Sequence, residues 1–458
     1  MSDRKKKTLI YLGFSFILAY FLSIMSINYF IQNDTLWHLK AGQYMVEHKT
    51  ILTKDVFSWV VEGKKWYSHE WLWEIMAYLI YKPFGFAGLF VVNLITLVLI
   101  LFIGQLIFDK LISNTIFILG IFLWSKYGYT CSRPHVLALL MLLLVIYIIK
   151  IKPKYSYLYI SMIFLIWTNI HSSVVFGVIL VSFIEFLDFL EDKKIKNHIK
   201  TPIVTFISSL INPHFINVYL FFIKLTTAKE LVDVINEWLS PNFHDKLTII
   251  ITIVIIALII ISARKMKYKD IIIVLLGLTM YLTSIRNIAI FAILSAYAVK
   301  DIDILPRSIK NIENQAMILI QVTIIMFIIN NTHLFIPNNQ YFTKSDAMKP
   351  FRAIEYMIKN NIKDKILNDY HLGGYLIFKD IKCSVDSRGD LYYFANRNYW
   401  NEYVNCTLLQ KDPEEFIKKY KIKYIYYPTA SSFYKYLLAK GYKVLYKDDI
   451  SAVLEVKQ

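Results

Sequence analysis

Cysteine is nearly absent from this chain. Cys131, Cys383 and Cys406 are the only three in 458 residues, and none has metal-ligand spacing. A thiolate metal module is thereby excluded, and a Cys383–Cys406 pairing outside the cell stays open. Charge is also scarce, at 19% of residues, less than a soluble domain of this size carries. There is no internal repeat and no low-complexity segment. No small-residue cleavage site follows the first apolar run, so Arg4-Lys5-Lys6-Lys7 and the run behind it read as a retained signal anchor.

Apolar residues fill the space: 56% of the chain is hydrophobic and 16% aromatic. A helix needs about 20 apolar residues to cross the hydrocarbon of a bilayer, and lipid satisfies no free backbone N–H or C=O. Eleven helical spans are predicted, at 8–32, 84–108, 114–130, 135–151, 155–171, 174–190, 202–222, 247–262, 270–285, 288–300 and 315–331. The formal net charge of +17 forms no basic domain, which argues against nucleic acid as a partner. Much of it sits in short loops, where it orients the protein. With the N-terminus cytoplasmic, Lys150/Lys152/Lys154, Lys193/Lys194/Lys196/Lys200, Arg264/Lys265/Lys267/Lys269 and Lys300/Arg307/Lys310 all fall inside. The alternate loops hold far fewer cations.

The expected architecture is therefore an α-helical polytopic protein of the cell membrane. Residues 1–331 form a transmembrane domain with a large first outer loop at 33–83, and 223–246 form a second outer loop. Residues 332–458 form a small extracytoplasmic α/β domain. Its helix-like stretches are 350–361, 413–421 and 431–440. Its strand-like stretches are Lys365–Asn368, Tyr375–Phe378, Tyr424–Tyr427, Lys443–Tyr446 and Ala452–Val456.

The polar residues on the outer side carry the chemistry. Asp34 suits an N-cap of an interfacial helix. An i,i+4 spacing also sets it on one face with His38, where a carboxylate takes a proton from a hydroxyl or helps hold a divalent cation. A hairpin turning at Glu62-Gly63 leads into Trp66-Tyr67-Ser68-His69-Glu70-Trp71. The tryptophans suit the interface. His69 and Glu70 read either as solvated side chains or as a second acid or metal-binding element beside Asp34.

Arg133, in Cys131-Ser132-Arg133-Pro134-His135, and Arg286 occupy very short turns between spans. An arginine at membrane depth either snorkels or serves a cavity, and its planar fork suits phosphate oxygens. Asn169, His171, Asn212 and Glu237 also map to outer helix ends, and Pro213 should break its span. Asp369…Gly373-Gly374-Tyr375 suggests a tight turn into a strand, with the glycines supplying positive φ. Ser384 to Asp390 suggests a strand end followed by a polar loop.

Several of these stretches resemble a known group. They are Asp34…Trp37-His38-Leu39…Gly42, Asp55-Val56-Phe57-Ser58, Trp66…His69-Glu70-Trp71-Leu72 and Arg133-Pro134-His135. Further along come Trp167-Thr168-Asn169-Ile170-His171, Asn212-Pro213, Glu237-Trp238, Arg286, Asp369…Gly373-Gly374-Tyr375-Leu376 and Asp386…Arg388…Asp390-Leu391-Tyr392. Together they resemble bacterial GT-C-type glycosyltransferases that use polyprenyl-phosphate-linked sugars, relatives of the protein mannosyltransferase-like enzymes. The resemblance implies a GT-C fold and inverting transfer to an acceptor glycan, lipid or protein at the outer face. Asp34 would be the base, with His38, His69 or Glu70 assisting. Arg133, His135, Asn169, His171, Asn212, Glu237 and Arg286 would line the substrate site. A divalent metal, magnesium or manganese, would be held by Asp34, His38 and Glu70. The paired acidic motif of many such enzymes is not evident, with His38 standing in place of a second carboxylate.

Two other classes remain in view. A transporter or lipid flippase would place charged or broken-helix sites near the bilayer midplane, with pseudo-symmetric halves. The expected spans lack buried carboxylates except Glu185 and Asp188, which lie near a cytoplasmic end. A non-catalytic envelope-assembly protein would use the tail for contacts.

Overall fold

A computed structural model describes residues 3–232, 235–303, 310–331 and 337–456. Arg307, counted above among the inner basic residues, and the expected domain junction after residue 331 lie outside the described residues. The chain is mostly helical, at 70%, with a small C-terminal sheet. It divides into two compact units. One comprises Met1–Ile27 and Phe90–Ile336, the other Asn28–Leu89 and Pro337–Gln458.

The first unit is built of apolar helices. Among the described residues four helices are long and apolar enough to cross a membrane: Lys7–Met25, Trp71–Ile107, Pro134–Ile151 and Lys246–Ala263. Shorter apolar helices span Leu111–Lys126, Ser156–Ile170, Ile285–Val299 and Gln315–Asn331. These helices suggest a membrane protein. Ile250, Ile253, Ile260 and Ile261 of the Lys246–Ala263 helix are exposed, which water disfavours and lipid does not. Inside, helices approach closely where side chains are small. A Cβ on Gly120 would lie 2.0 Å from that of Ala292, and one on Gly104 would lie 2.2 Å from the Phe117 ring. In lipid such close packing replaces the hydrophobic drive between helices. A chain of buried amides is paired across helices. Gln105 donates to Ser15 at 2.8 Å, and Gln321 donates to Gln105 at 3.0 Å and to Asn114 at 3.2 Å.

Two of the expected spans end or break early. The run at 8–32 stops as a helix at Met25, and a new helix, Asn33–His48, starts beyond it. The run at 202–222 is interrupted between the helices Lys200–Ser209 and Asn217–Thr227. Asn212-Pro213 causes the break: the ring removes a donor, and the Asn212 side-chain Oδ1 accepts from His214 N at 2.8 Å in a turn.

The second unit joins the segment after the first helix to the C-terminal segment. Its sheet has the order β1-β2-β4-β3, with β1 Ile366–Asn368, β2 Tyr424–Pro428, β3 Lys443–Lys447 and β4 Ser451–Glu455. β1 runs parallel to β2 with Leu367 opposite Ile425, and the other pairs are antiparallel. The 53–66 stretch is a hairpin, with Asp55 N bonded to Lys64 O at 2.9 Å and Gly63 at φ 74° in the turn. A parallel bridge between Ser58 and Cys383 ties that hairpin to the C-terminal segment.

Three expectations are corrected here. The stretch Tyr375–Phe378 is not a strand but part of the helix Gly373–Phe378. Asp369 starts it by accepting from His371 N at 2.8 Å and nucleating the turn Tyr370–Leu372. A four-residue apolar run carries no periodicity to distinguish the two states. The paired glycines do not supply positive φ, since Gly373 is helical at φ −60° and neither has a positive φ. They are needed for space: a Cβ on Gly373 would lie 2.1 Å from Val385 O, and one on Gly374 would lie 2.1 Å from Asn33 O. Gln32, not Asp34, is the N-cap of the helix Asn33–His48, and Asp34 lies in its first turn. All three cysteines are free and buried.

Candidate functional site

Polar side chains gather at one place in each unit. In the second unit the helix Asn33–His48 packs against the start of the helix Trp71–Ile107. Gly42 permits the approach, because a Cβ there would lie 2.0 Å from Glu74 O. One turn earlier on the same face, His38 therefore meets the acidic start of the neighbouring helix. Its Nδ1 is 3.2 Å from Glu74 Oε1, and its Nε2 is 3.4 Å from Glu70 Oε2. Ser68 Oγ donates to the second Glu74 oxygen at 2.5 Å, and His69 Nε2 is 3.7 Å from the second Glu70 oxygen. The His38 side chain is 4% exposed and that of Glu74 is fully buried. The Trp37 ring lies 3.7 Å from the His38 ring, covering it. Asp34 is half-buried, one turn before His38. Its neighbour Asn33 donates to Tyr370 O at 2.8 Å and accepts from Gly374 N, so the C-terminal segment holds the start of this helix.

Beside this cluster is a buried ion network. Arg388 holds Asp386 in a two-toothed grip, Nε–Oδ1 2.8 Å and Nη2–Oδ2 2.7 Å, and donates from Nη1 to Asp55 at 2.8 Å. Trp66, Phe57 and Trp37 surround the guanidinium at 4.5, 5.3 and 5.7 Å. Burial acts to raise the Asp386 carboxyl, but the Arg388 charge and hydrogen bonds outweigh it and hold it below the ordinary value. For Asp55 burial wins and the carboxyl is raised. Burial also raises Asp390, against the opposing charges of His69 and Arg388. Such a network leaves no charge unpaired in the interior, which is what its burial requires.

In the first unit two arginines share one acid. Arg133 Nη1 is 3.3 Å from Glu237 Oε2, and Arg286 Nη1 is 3.4 Å from Glu237 Oε1. The loop carrying Glu237 is fastened to the turn carrying Arg286: Ser284 Oγ donates to Glu237 O at 3.0 Å and Ile285 N to Leu239 O at 2.9 Å. The Arg286 guanidinium lies 5.3 Å from the Trp238 ring. Burial acts to raise the Glu237 carboxyl, yet Arg133 and Arg286 bring it down from 4.5 to about 2. His135 faces the carbonyl of Tyr129 with Nε2 at 2.7 Å, which sets Nε2 as the protonated nitrogen. The Arg133 and Arg286 side chains are 18% and 29% exposed.

Arg133, Glu237 and Arg286 are thus brought together, with His135 two residues from Arg133. His38 and Glu70 are in contact, with His69 on the far side of Glu70. Asn169, His171 and Asn212 serve helix ends. Asn169 donates to Ile211 O at 3.0 Å, Asn212 donates to Ser209 O at 2.9 Å, and His171 Nδ1 pairs with Ser173 Oγ at 2.8 Å. Sequence reasoning missed Glu74, although Glu70 and Glu74 stand four residues apart at a helix start and share one face. It quoted Asp55, Asp386 and Arg388 without a role, because nothing local in the sequence pairs residues so distant.

Comparison with known proteins finds no matching family model and no matching curated protein.

Proposed function

We propose that this chain is a membrane glycosyltransferase of the GT-C type, moving a sugar from a polyprenyl-phosphate donor to an acceptor hydroxyl at the outer face of the membrane. On this reading the chain crosses the membrane eleven times, with its N-terminus in the cytoplasm. The observation that carries the proposal is the pair Arg133 and Arg286 on the single carboxylate of Glu237. Guanidinium forks match phosphate oxygens, and a pair of them at the ends of apolar helices suits a lipid-linked phosphate. In the transfer, a carboxylate removes the acceptor's proton as its oxygen attacks the anomeric carbon. The bond from that carbon to the phosphate oxygen breaks, and the lipid phosphate leaves with the electron pair. Arg133 and Arg286 stabilise the charge growing on it. The base is Asp34, the half-buried carboxylate one turn before His38.

The test is transfer of radiolabelled sugar from defined polyprenyl-phosphate donors by the purified full-length protein. Asp34→Asn is expected to abolish transfer while the protein stays folded. Full activity in that variant would remove Asp34 as base. No transfer by the wild type from any donor, with movement of the intact lipid across the bilayer, would replace the enzyme with a flippase.

A further inference from the structure

We propose that residues 193–207 form a binding surface for anionic phospholipid, with Lys193, Lys194, Lys196 and Lys200 on the headgroup phosphate and an isoleucine stripe against the acyl chains. The inference goes beyond the transferase reading and does not depend on it.

The helix Val174–Asp192 ends with Lys193 in the left-handed conformation, at φ 60°. The chain becomes helical again through Ile195–His198 and Lys200–Ser209. Across the join Ile199 N donates to Ile195 O at 3.0 Å and Ile203 N to Ile199 O at 3.3 Å. Ile195, Ile199, Ile203 and Ile207 therefore follow at four-residue spacing along one face. All four are exposed, at 56%, 47%, 49% and 56%. The stripe begins before the span expected at 202–222 and runs into it, so the lipid-facing surface continues onto the basic segment. Such a stripe is unfavourable in water and suits acyl chains. Lys196 and Lys200 stand beside it at the same spacing, so their stems lie along lipid while the ammonium groups reach the headgroups.

The charges around the segment select an anion. The acidic side chains at this end of the helix Val174–Asp192 already have cations. His198 Nδ1 is 2.8 Å from Glu185 and its Nε2 is 3.0 Å from Asp192. The hydrogen bond with Asp192 raises the His198 ring above its ordinary value, which favours the charged form that balances these two acids. Lys269 holds Asp188 at 2.7 Å and Glu191 at 2.8 Å, and Lys267 reaches Glu191 at 3.5 Å. By contrast, Lys193, Lys194 and Lys196 are exposed and form no ion pair among the described residues. Lys200 lies 3.7 Å from the centre of the Tyr157 ring and likewise has no carboxylate among them. A soluble phosphate would satisfy these lysines and leave the isoleucines in water. A phospholipid satisfies both.

The test uses the full-length protein in detergent, titrated separately with phosphatidylglycerol and phosphatidylcholine, with bound lipids counted by native mass spectrometry. Phosphatidylglycerol is expected to bind at least about tenfold more tightly. The variant Lys193→Gln/Lys194→Gln/Lys196→Gln should lose roughly 10² in affinity for phosphatidylglycerol, about fivefold per lysine, and bind phosphatidylcholine as before. Ile195→Asn/Ile199→Asn should weaken both lipids. Should the triple variant fail to fold, Lys194→Gln alone, with its fivefold loss, carries the test. Equal affinity of the wild type for the two lipids, or undiminished phosphatidylglycerol binding in the lysine variants, overturns the site. Displacement of phosphatidylglycerol by an equal concentration of inorganic phosphate overturns lipid as its occupant.

Discussion

Arg388 donates to Asp55 at 2.8 Å across 333 residues of chain. With the Ser58–Cys383 bridge and the Asn33 contacts, that hydrogen bond ties the segment after the first helix to the C-terminal segment. A buried guanidinium between two carboxylates resists disruption because removing it strands charges in the interior.

Arg388→Met is therefore expected to destabilise the second unit by about 3–5 kcal/mol. Asp55→Asn should cost less than Asp386→Asn, because Asp55 takes one hydrogen bond from Arg388 and Asp386 takes three, plus one from Tyr392. Thermal unfolding of the three variants ranks them. An Arg388→Met protein as stable as wild type would remove the network as a tie between the two segments.

Gly42→Ala should lower stability by about 1–3 kcal/mol, since its methyl meets the Glu74 carbonyl at 2.0 Å and must push the helices apart. The same movement separates His38 from Glu74 and weakens their contact. A variant that melts like wild type would show the helices to be less tightly opposed.

The Glu237 bridge sets a pH dependence. Its carboxyl lies at about 2 in the folded chain, against 4.5 ordinarily. A group lowered on folding contributes stability that is complete above its unfolded value and is lost as pH falls through its folded one. Acidification from about pH 4.5 towards 2 should thus loosen the link between the Glu237 loop and the arginines. Glu237→Gln should lose that part of the acid sensitivity in unfolding curves taken across this window, and identical curves would contradict the assignment.

Arg133→Ala and Arg286→Ala should each slow sugar transfer by roughly 10²–10³, the usual cost of removing one donor that stabilises a growing anion. The double variant should fall by less than the product of the two, because both act on one phosphate. Transfer rates with a fixed donor measure this, and an unchanged rate in either variant would detach that arginine from the reaction.

Native protein should resist maleimide labelling, and denatured protein should take up three labels. All three thiols are free and buried, and burial pushes Cys383 well above the ordinary thiol range. Rapid labelling of the native protein, or a count below three after denaturation without reductant, would contradict this.

Much of the architecture was legible in the residues themselves. Helical periodicity is unnecessary where an apolar run is long, since length and composition alone indicate a helix, and helices cover the runs at 135–151 and 247–262. The Glu62-Gly63 hairpin, the break at Pro213 and the small terminal sheet each follow from local chemistry. The stretch Tyr375–Phe378 did not, because a short apolar run fits strand and helix equally until Asp369 caps the turn before it. The role of Gly373 and Gly374 was hidden for a related reason: what they accommodate is the backbone of Val385 and Asn33, remote in sequence.

The candidate sites divide along the same line. Residue type and spacing determined which side chains carry chemistry: an arginine in a tight turn and a histidine four residues after an aspartate are visible without coordinates. Only the tertiary structure decided their partners. Arg133 and Arg286 meet on Glu237, and His38 meets Glu74, because helix ends distant in sequence converge. Local sequence governs the conformation of each helix, whereas the packing between helices governs which charges must balance one another.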